Sequence, residues 1–81
     1  MNKFNVEFTD TFNGDANYSW VNRKEITVKE DASQSQIMRA AKRAVCITGC
    51  KGVTESYCDG YTFKPYNQCT ILFVNYMEQS I

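Results

Sequence analysis

The amino-acid sequence predicts an α+β fold, in which one helix packs on one face of a single antiparallel sheet. Helical periodicity is found in only one stretch, residues 33–49 (SQSQIMRAAKRAVCITG), while most of the remaining chain alternates apolar and polar residues or carries turn signals. Because the chain has 81 residues, we expect one domain over residues 1–81 with one core. The predicted order of elements is β-β-α-β-β-β.

The first strand is predicted over residues 3–12, where apolar and polar side chains alternate. A turn is predicted over residues 13–17, and Asn13-Gly14 is the sharpest signal within it. The second strand is predicted over residues 18–29 and antiparallel to the first. Several polar residues share its apolar face, which indicates a bulge or an exposed first half. The core-facing residues of the first strand are predicted to be Phe4, Val6 and Phe8.

The helix is predicted to begin after Ser33 and to end at Gly49. Ser33 and Gln36 have the spacing of a capping box, and a glycine after the last periodic residue favours a left-handed stop. The residues at helical spacing that form its apolar stripe are Ile37, Met38, Ala41, Ala44 and Val45. On the other side, a compact basic strip is predicted from Arg39, Lys42 and Arg43.

A hairpin is predicted after the helix, with Asp59-Gly60 as its two-residue turn. Its strands would cover residues 53–58 and 61–65. If the turn is type I′, Glu55 lies opposite Lys64, and these opposite charges favour that register.

The last strand is predicted over residues 69–77 (CTILFVNYM), and this segment is apolar on both faces over most of its length. Such a strand is expected at the centre of the sheet. A single helix covers only one of its faces. The other face is therefore expected to contact a partner or a second copy of the chain, so a homodimer is one of the predicted arrangements.

Charge and hydropathy narrow the classes of partner. Nine basic and nine acidic residues give a formal net charge of +0, which argues against nonspecific binding to nucleic acid. No apolar run reaches the roughly 20 residues that span a bilayer, and the first residues alternate at once, unlike a signal peptide. We therefore expect a cytoplasmic protein with no membrane partner.

The residues that usually carry catalysis or bind metal are scarce. The chain has no histidine and no glycine loop that would bind phosphate, so no catalytic residue and no enzymatic activity are predicted. Its four cysteines lack the tight C-x-x-C spacing of zinc sites. Free, buried thiols and no metal or cofactor are expected, with a four-thiolate zinc site as the alternative. The cysteines are Cys46, Cys50, Cys58 and Cys69.

Aromatic residues are the strongest indication of a binding surface. Five Phe, five Tyr and one Trp exceed what one small core needs, and Tyr and Trp dominate interface hot spots. The alternative is that Trp20 and Phe63 belong to the core, with the tyrosines around it, and that the basic strip is only a solvated helix face. The candidate partner-binding residues are Tyr18, Trp20, Tyr57, Tyr61, Tyr76, Arg39, Lys42 and Arg43.

The opening segment FTDTFNGDANYSWV, followed by an amphipathic helix and a strand-rich C-terminal half, resembles small accessory proteins of phages and prophages. Some of these are anti-CRISPR or other anti-defence proteins. The resemblance implies a compact, cytosolic, non-enzymatic protein that binds a host protein or complex, such as a CRISPR-Cas effector, and blocks it. It implies no functional residue.

A binding protein that blocks a host protein complex is therefore the first functional prediction. The sheet face opposite the helix is its expected contact surface. The alternative is a nucleic-acid-associated accessory protein that uses the basic strip and exposed tyrosines as stacking groups. A small enzyme or zinc module ranks third.

Overall fold

The computed structural model describes residues 2–66 and 68–77. One five-stranded antiparallel sheet has the strand order β2-β1-β5-β4-β3, and one helix packs on one of its faces. The α+β fold and the predicted order of elements are confirmed. The elements are β1 (Asn2–Phe12), β2 (Asp15–Val28), α1 (Gln34–Ala44), β3 (Gly52–Tyr57), β4 (Gly60–Pro65) and β5 (Thr70–Met77).

The turn between β1 and β2 consists of Asn13 and Gly14 alone. Both have a positive φ, 54° and 85°, as a type I′ hairpin turn requires. Phe12 pairs directly with Asp15, so the predicted five-residue turn is too long and β2 begins earlier than expected. The core side of β1 is as predicted, because Phe4, Val6 and Phe8 are all buried.

The pairing of β1 with β2 is interrupted by a bulge. Thr9 pairs with Val21, but Thr11 pairs with Ala16, so β2 has extra residues opposite Asp10. On the far side of this bulge, the C-terminal half of β2 returns to the core, whereas the first half is largely exposed. Both features that the mixed pattern of β2 indicated are therefore present.

β5 lies at the centre of the sheet, between β1 and β4, as its apolar sequence predicts. Leu72 and Val74 are fully buried on the helix side. On the opposite side, which we call the open face, Ile71 is buried and Phe73 is half-buried within this single chain. The cross-strand neighbours of Phe73 are Glu7 and Thr62. The open face of β5 is therefore flanked by polar side chains and is not a continuous apolar patch.

The helix begins as predicted but ends earlier. The Ser33 hydroxyl accepts from the Gln36 N–H, and the Gln36 side chain accepts from the Ser33 N–H, which completes a capping box. The last helical residue is Ala44, so the predicted end at Gly49 is wrong. Cys46 takes the left-handed conformation instead, with φ 63°, while Gly49, with φ 86°, lies in the following turn.

The hydrogen bonds at the helix end explain why it stops there. The Cys46 N–H donates to the Arg43 carbonyl at 3.2 Å, and the Ile47 N–H donates to the Lys42 carbonyl at 2.8 Å. This pair of bonds is a Schellman motif, which satisfies carbonyls that the helix leaves without partners. Ile47 then packs against the core and directs the chain back to the sheet.

The predicted apolar stripe of α1 packs on the sheet. Ile37, Met38, Ala41 and Val45 are buried, and Ala44 packs against them. The helix backbone lies closest to β2, at one side of the sheet. Within the part of the chain that the structure describes, no helix is long and apolar enough to cross a membrane.

The β3–β4 hairpin has a different register from the predicted one. Tyr57 pairs with Gly60, so the turn is Cys58-Asp59, and Glu55 lies opposite Thr62 rather than Lys64. Gly60 is a strand residue that pairs with β5, where a Cβ would collide with the backbone of Val74. The Asp-Gly signal is therefore misleading: this glycine allows close approach of two strands and is not a turn residue.

Candidate functional site

The tip of the β1–β2 hairpin projects beyond the rest of the sheet. β5 pairs with β1 only as far as Asp10, and one more backbone bond joins the Thr11 N–H to the Cys69 carbonyl at 2.8 Å. Beyond that point, Phe12 pairs with Asp15 across the turn. We call residues 10–20 the projecting hairpin.

Asp10 organises the bulge at the base of the projecting hairpin. Its carboxylate accepts from the Ser19 hydroxyl at 2.6 Å, from the Asn17 amide at 2.9 Å and from the Ser19 N–H at 3.0 Å. These bonds, with that of the Ser19 hydroxyl foremost, lower the pKa of Asp10 from 3.8 to about 2. The ionised side chain thus holds the extra residues of β2 against β1 by hydrogen bonds.

The bulge holds two aromatic residues at the surface. Tyr18 has φ 56°, a left-handed conformation that bulky side chains rarely adopt, and its exposed fraction is 48%. Trp20 is 45% exposed, and its ring lies against Phe8 at a centroid distance of 5.4 Å. The Thr9 hydroxyl donates to the Trp20 carbonyl at 2.6 Å, which fixes the backbone there.

Phe12 adds a third aromatic side chain to the projecting hairpin and is 67% exposed. The sequence pattern indicated Tyr18 and Trp20 as partner-binding residues. It did not indicate Phe12, which was assigned neither to the core nor to a binding surface. The hydrogen bonds from Asn17 and Ser19 to Asp10 could not be predicted from the sequence pattern, because they form only where the bulge brings these residues together.

The other candidate aromatics lie at the opposite end of the sheet and do not form one surface. Tyr57 is exposed on the open face, where its hydroxyl donates to Glu55 at 3.0 Å. Tyr61 is half-buried against the core on the helix side. Tyr76 is exposed at its edge and meets Phe4 edge-on at 5.6 Å. A small cleft of about 190 Å³ lies among these residues and the hairpin turn.

Trp20 is not part of the core, whereas Phe63 is almost fully buried. The alternative in which both belonged to the core is therefore right for Phe63 and wrong for Trp20. Trp20 lies in the bulge, where β2 departs from the regular pairing with β1.

The basic strip is not uniformly solvated. Arg39 and Arg43 are exposed, but Lys42 is half-buried. Its Nζ lies 4.0 Å from the centroid of the Phe63 ring and donates to the Cys50 carbonyl at 3.3 Å. The three residues line one side of a groove of about 500 Å³ between α1 and β3.

The four cysteines are free, and three of them are exposed, so the prediction that they are buried is wrong for those three. Cys50 is the exception, since it packs against the core although its sequence position looks loop-like. Among residues 2–66 and 68–77, no group of three or more His, Cys, Asp or Glu side chains is placed to hold a metal ion.

The fold and its surfaces define a class: a small α+β protein that presents aromatic side chains on a projecting hairpin and cations along a groove beside its helix. No family model, no curated protein and no solved structure matches the chain. The function is therefore argued from these surfaces.

Proposed function

We propose that this protein is a non-enzymatic binding protein that occludes the surface of a partner protein with its projecting hairpin. The observation that carries the proposal is the strained, exposed Tyr18, which the carboxylate of Asp10 holds in place through Asn17 and Ser19. A left-handed conformation in a bulky residue costs of the order of 1–3 kcal/mol, and such strain clusters at functional sites.

The aromatic side chains of the projecting hairpin suit an interface. Phe12, Tyr18 and Trp20 offer large apolar area with few rotatable bonds, which is the composition of hot spots. Because the bulge fixes the backbone of Tyr18 and Trp20 before any partner arrives, less conformational entropy is lost on binding. A two-stranded tip that extends past the sheet also fits into a concave surface better than a flat sheet does.

The properties of Asp10 argue for a structural role rather than for acid–base catalysis. A general base works best with a pKa near the working pH, whereas the pKa of Asp10 is lowered to about 2. Its oxygens are occupied by Ser19 and Asn17. Asp10 therefore remains ionised and engaged at neutral pH.

The concrete form of this proposal is a phage-encoded inhibitor of a host defence complex, such as a CRISPR-Cas effector. It rests on the resemblance of the opening segment FTDTFNGDANYSWV, which includes the whole projecting hairpin. In this form the protein acts by steric exclusion, so it needs neither a cofactor nor a catalytic group.

The test is capture from a nuclease-treated bacterial lysate by immobilised protein, compared across variants. A protein captured by the parent should be lost with Phe12→Ala combined with Tyr18→Gly. It should be retained with Tyr66→Ala, which removes a tyrosine that is more exposed than Tyr18 and lies outside the projecting hairpin. Arg39→Glu combined with Arg43→Glu should have little effect.

Two results would contradict the proposal. If Tyr57→Ala abolishes capture and the hairpin variant does not, the contact surface lies at the other end of the sheet. If capture requires intact nucleic acid and is lost with the charge reversals on α1, the nucleic-acid-associated alternative is right. Salt separates the two cases further, because apolar contacts are screened much less than charge pairs.

A further inference from the structure

We propose that the groove between α1 and β3 binds a small organic phosphate, with the phosphate held by Arg39, Arg43 and Lys42. This site is separate from the projecting hairpin, and the two proposals fail independently. The groove measures about 500 Å³, which lies within the range of small-molecule sites. Its lining residues are Gln34, Ser35, Met38, Arg39, Lys42, Arg43, Thr48, Gly49 and Thr54.

The position of the helix creates the groove. The backbone of α1 lies closest to β2, at one side of the sheet, so the helix leaves the edge strand β3 uncovered on the other side. Thr54 and Ser56 point to the helix side of β3 and are exposed. The Ser56 hydroxyl donates to the Gln34 side chain at 3.4 Å, a bond that joins β3 to the start of the helix at one end of the groove.

The charge of the groove is one-sided. Among the described residues that line it, three are cations and none is a carboxylate, although the whole chain is neutral. Glu55, the acidic neighbour of Thr54 in sequence, lies on the open face and accepts from the Tyr57 hydroxyl. A groove lined by one sign of charge raises the local concentration of ligands of the opposite sign.

Lys42 is held in place by two contacts with uncharged groups. Its ammonium group lies over the Phe63 ring and donates to the Cys50 carbonyl, and neither contact supplies a negative charge. An ammonium group has three donors, so it retains donors for a ligand. A bound anion would provide a counter-charge for this half-buried cation.

The helix dipole explains only part of the strip. Lys42 and Arg43 lie in the last turn of α1, where cations stabilise the negative helix end. Arg39 lies one turn before Arg43 on the same face, outside the reach of that effect. Both guanidinium groups line the groove, so a ligand bound there lies within the reach of both.

The number and kind of donors point to a phosphomonoester. Its charge of about −1.5 to −2 at neutral pH matches two or three cations better than a single carboxylate does, and guanidinium groups bind phosphate oxygens in pairs. The hydroxyls of Ser35, Thr48 and Thr54 add donors. The groove exceeds the size of inorganic phosphate, and Met38 supplies apolar contact for the organic part of the ligand.

The test is an NMR titration of the protein with adenosine monophosphate and with glucose 6-phosphate, using adenosine and glucose as uncharged controls. At least one monoester should shift the resonances of Arg39, Thr48 and Thr54, while the uncharged controls should not. Arg39→Gln combined with Arg43→Gln should weaken binding about tenfold or more, the loss expected for charge-assisted hydrogen bonds.

A matched control removes the same charge elsewhere. Arg23→Gln combined with Lys64→Gln deletes two cations from the open face and should leave the affinity unchanged. Thr54→Glu places a carboxylate in the groove without altering the helix and should also abolish binding. Tyr18→Gly, which removes a proposed partner contact, should not affect it.

The proposal is overturned if neither monoester shifts the groove resonances. It is also overturned if the Arg39/Arg43 and Arg23/Lys64 double variants lose binding equally, since the net charge of the protein alone would then determine the affinity. Binding of a single-stranded oligonucleotide that has no terminal phosphate, with no response to either monoester, would also overturn it. The groove would then follow a nucleic-acid backbone instead.

Discussion

The end of α1 and the projecting hairpin each contain a residue other than glycine in the left-handed conformation, for different reasons. At the helix end, the conformation of Cys46 is fixed by two backbone hydrogen bonds within the same turn. In the projecting hairpin, the conformation of Tyr18 depends on the side chain of Asp10, which reaches across from the neighbouring strand. The contacts that fix Cys46 are therefore local in the sequence, whereas those that fix Tyr18 join two strands.

The difference separates structural strain from strain that points to function. A left-handed residue after a helix satisfies carbonyls that would otherwise lack partners, so the helix itself accounts for Cys46. β2 needs no such residue to continue. The bulge at Tyr18 adds exposed aromatic area and interrupts regular pairing. The proposed binding role accounts for the cost of this arrangement, for which the pairing of the strands gives no reason.

The largest loss of stability is expected from a substitution in the packing beneath the end of α1. Ala41 is fully buried, and its carbonyl accepts from the Val45 N–H at 3.3 Å. Ala41→Glu should therefore lower the free energy of unfolding by more than about 3 kcal/mol, because it buries a charge without a partner. Thermal melting measures this, and Ala40→Glu, at a half-buried position, should cost less. A melting temperature close to that of the parent would mean that the helix is rotated differently.

A smaller effect is expected from Asp10→Asn in the projecting hairpin. The amide that replaces the carboxylate accepts more weakly and brings its own donors toward those of Asn17 and Ser19. The melting temperature at pH 7 should fall by less than in Ala41→Glu. Amide hydrogen exchange at Ser19 should become faster, while exchange at Ile47 should not change. Equal acceleration at both sites would show that the two regions are not independent.

The stabilisation that Asp10→Asn removes is expected to depend on pH. The pKa of Asp10 in the folded protein, about 2, lies below its ordinary value of 3.8. The stabilisation is therefore fully present above pH 3.8 and is lost as the pH falls through about 2. The difference in melting temperature between the parent and Asp10→Asn should be constant near neutral pH and should vanish at the acid end of this window. A difference that persists below pH 2 would contradict the role assigned to the carboxylate.

The smallest effects are expected from replacing Cys46 and Tyr18, each in turn, with glycine. Cys46→Gly removes the Cβ penalty and should raise the free energy of unfolding by about 1 kcal/mol. Tyr18→Gly gains the same relief but loses the contacts made by the covered part of an exposed ring, so its stability should stay within about 1 kcal/mol of the parent. Urea unfolding measures both.

Partner capture then distinguishes the two glycine variants. Only Tyr18→Gly should lose it, because Cys46 lies at the helix end and outside the projecting hairpin. Loss of capture in both variants, or in neither, would remove the functional meaning given to the strain at Tyr18.

The sequence by itself determined the features that depend on neighbouring residues. Alternation placed Phe4, Val6 and Phe8 on the core side. Asn13-Gly14 specified the first turn, because these residues adopt a positive φ at low cost. The spacing of Ser33 and Gln36 specified the start of the helix. An apolar run with no polar face predicted the central position of β5.

Only the tertiary structure decided the features that depend on contacts between distant segments. Gly60 was mistaken for a turn residue because the backbone of Val74, which requires a glycine there, comes from another strand. The ring beneath Lys42 belongs to β4, so helical spacing alone placed this lysine in solvent. Asp10 gained its role only when the bulge brought Asn17 and Ser19 to its carboxylate. In each case the local sequence is compatible with more than one role for the residue. Packing against a segment far along the chain decides which role it has.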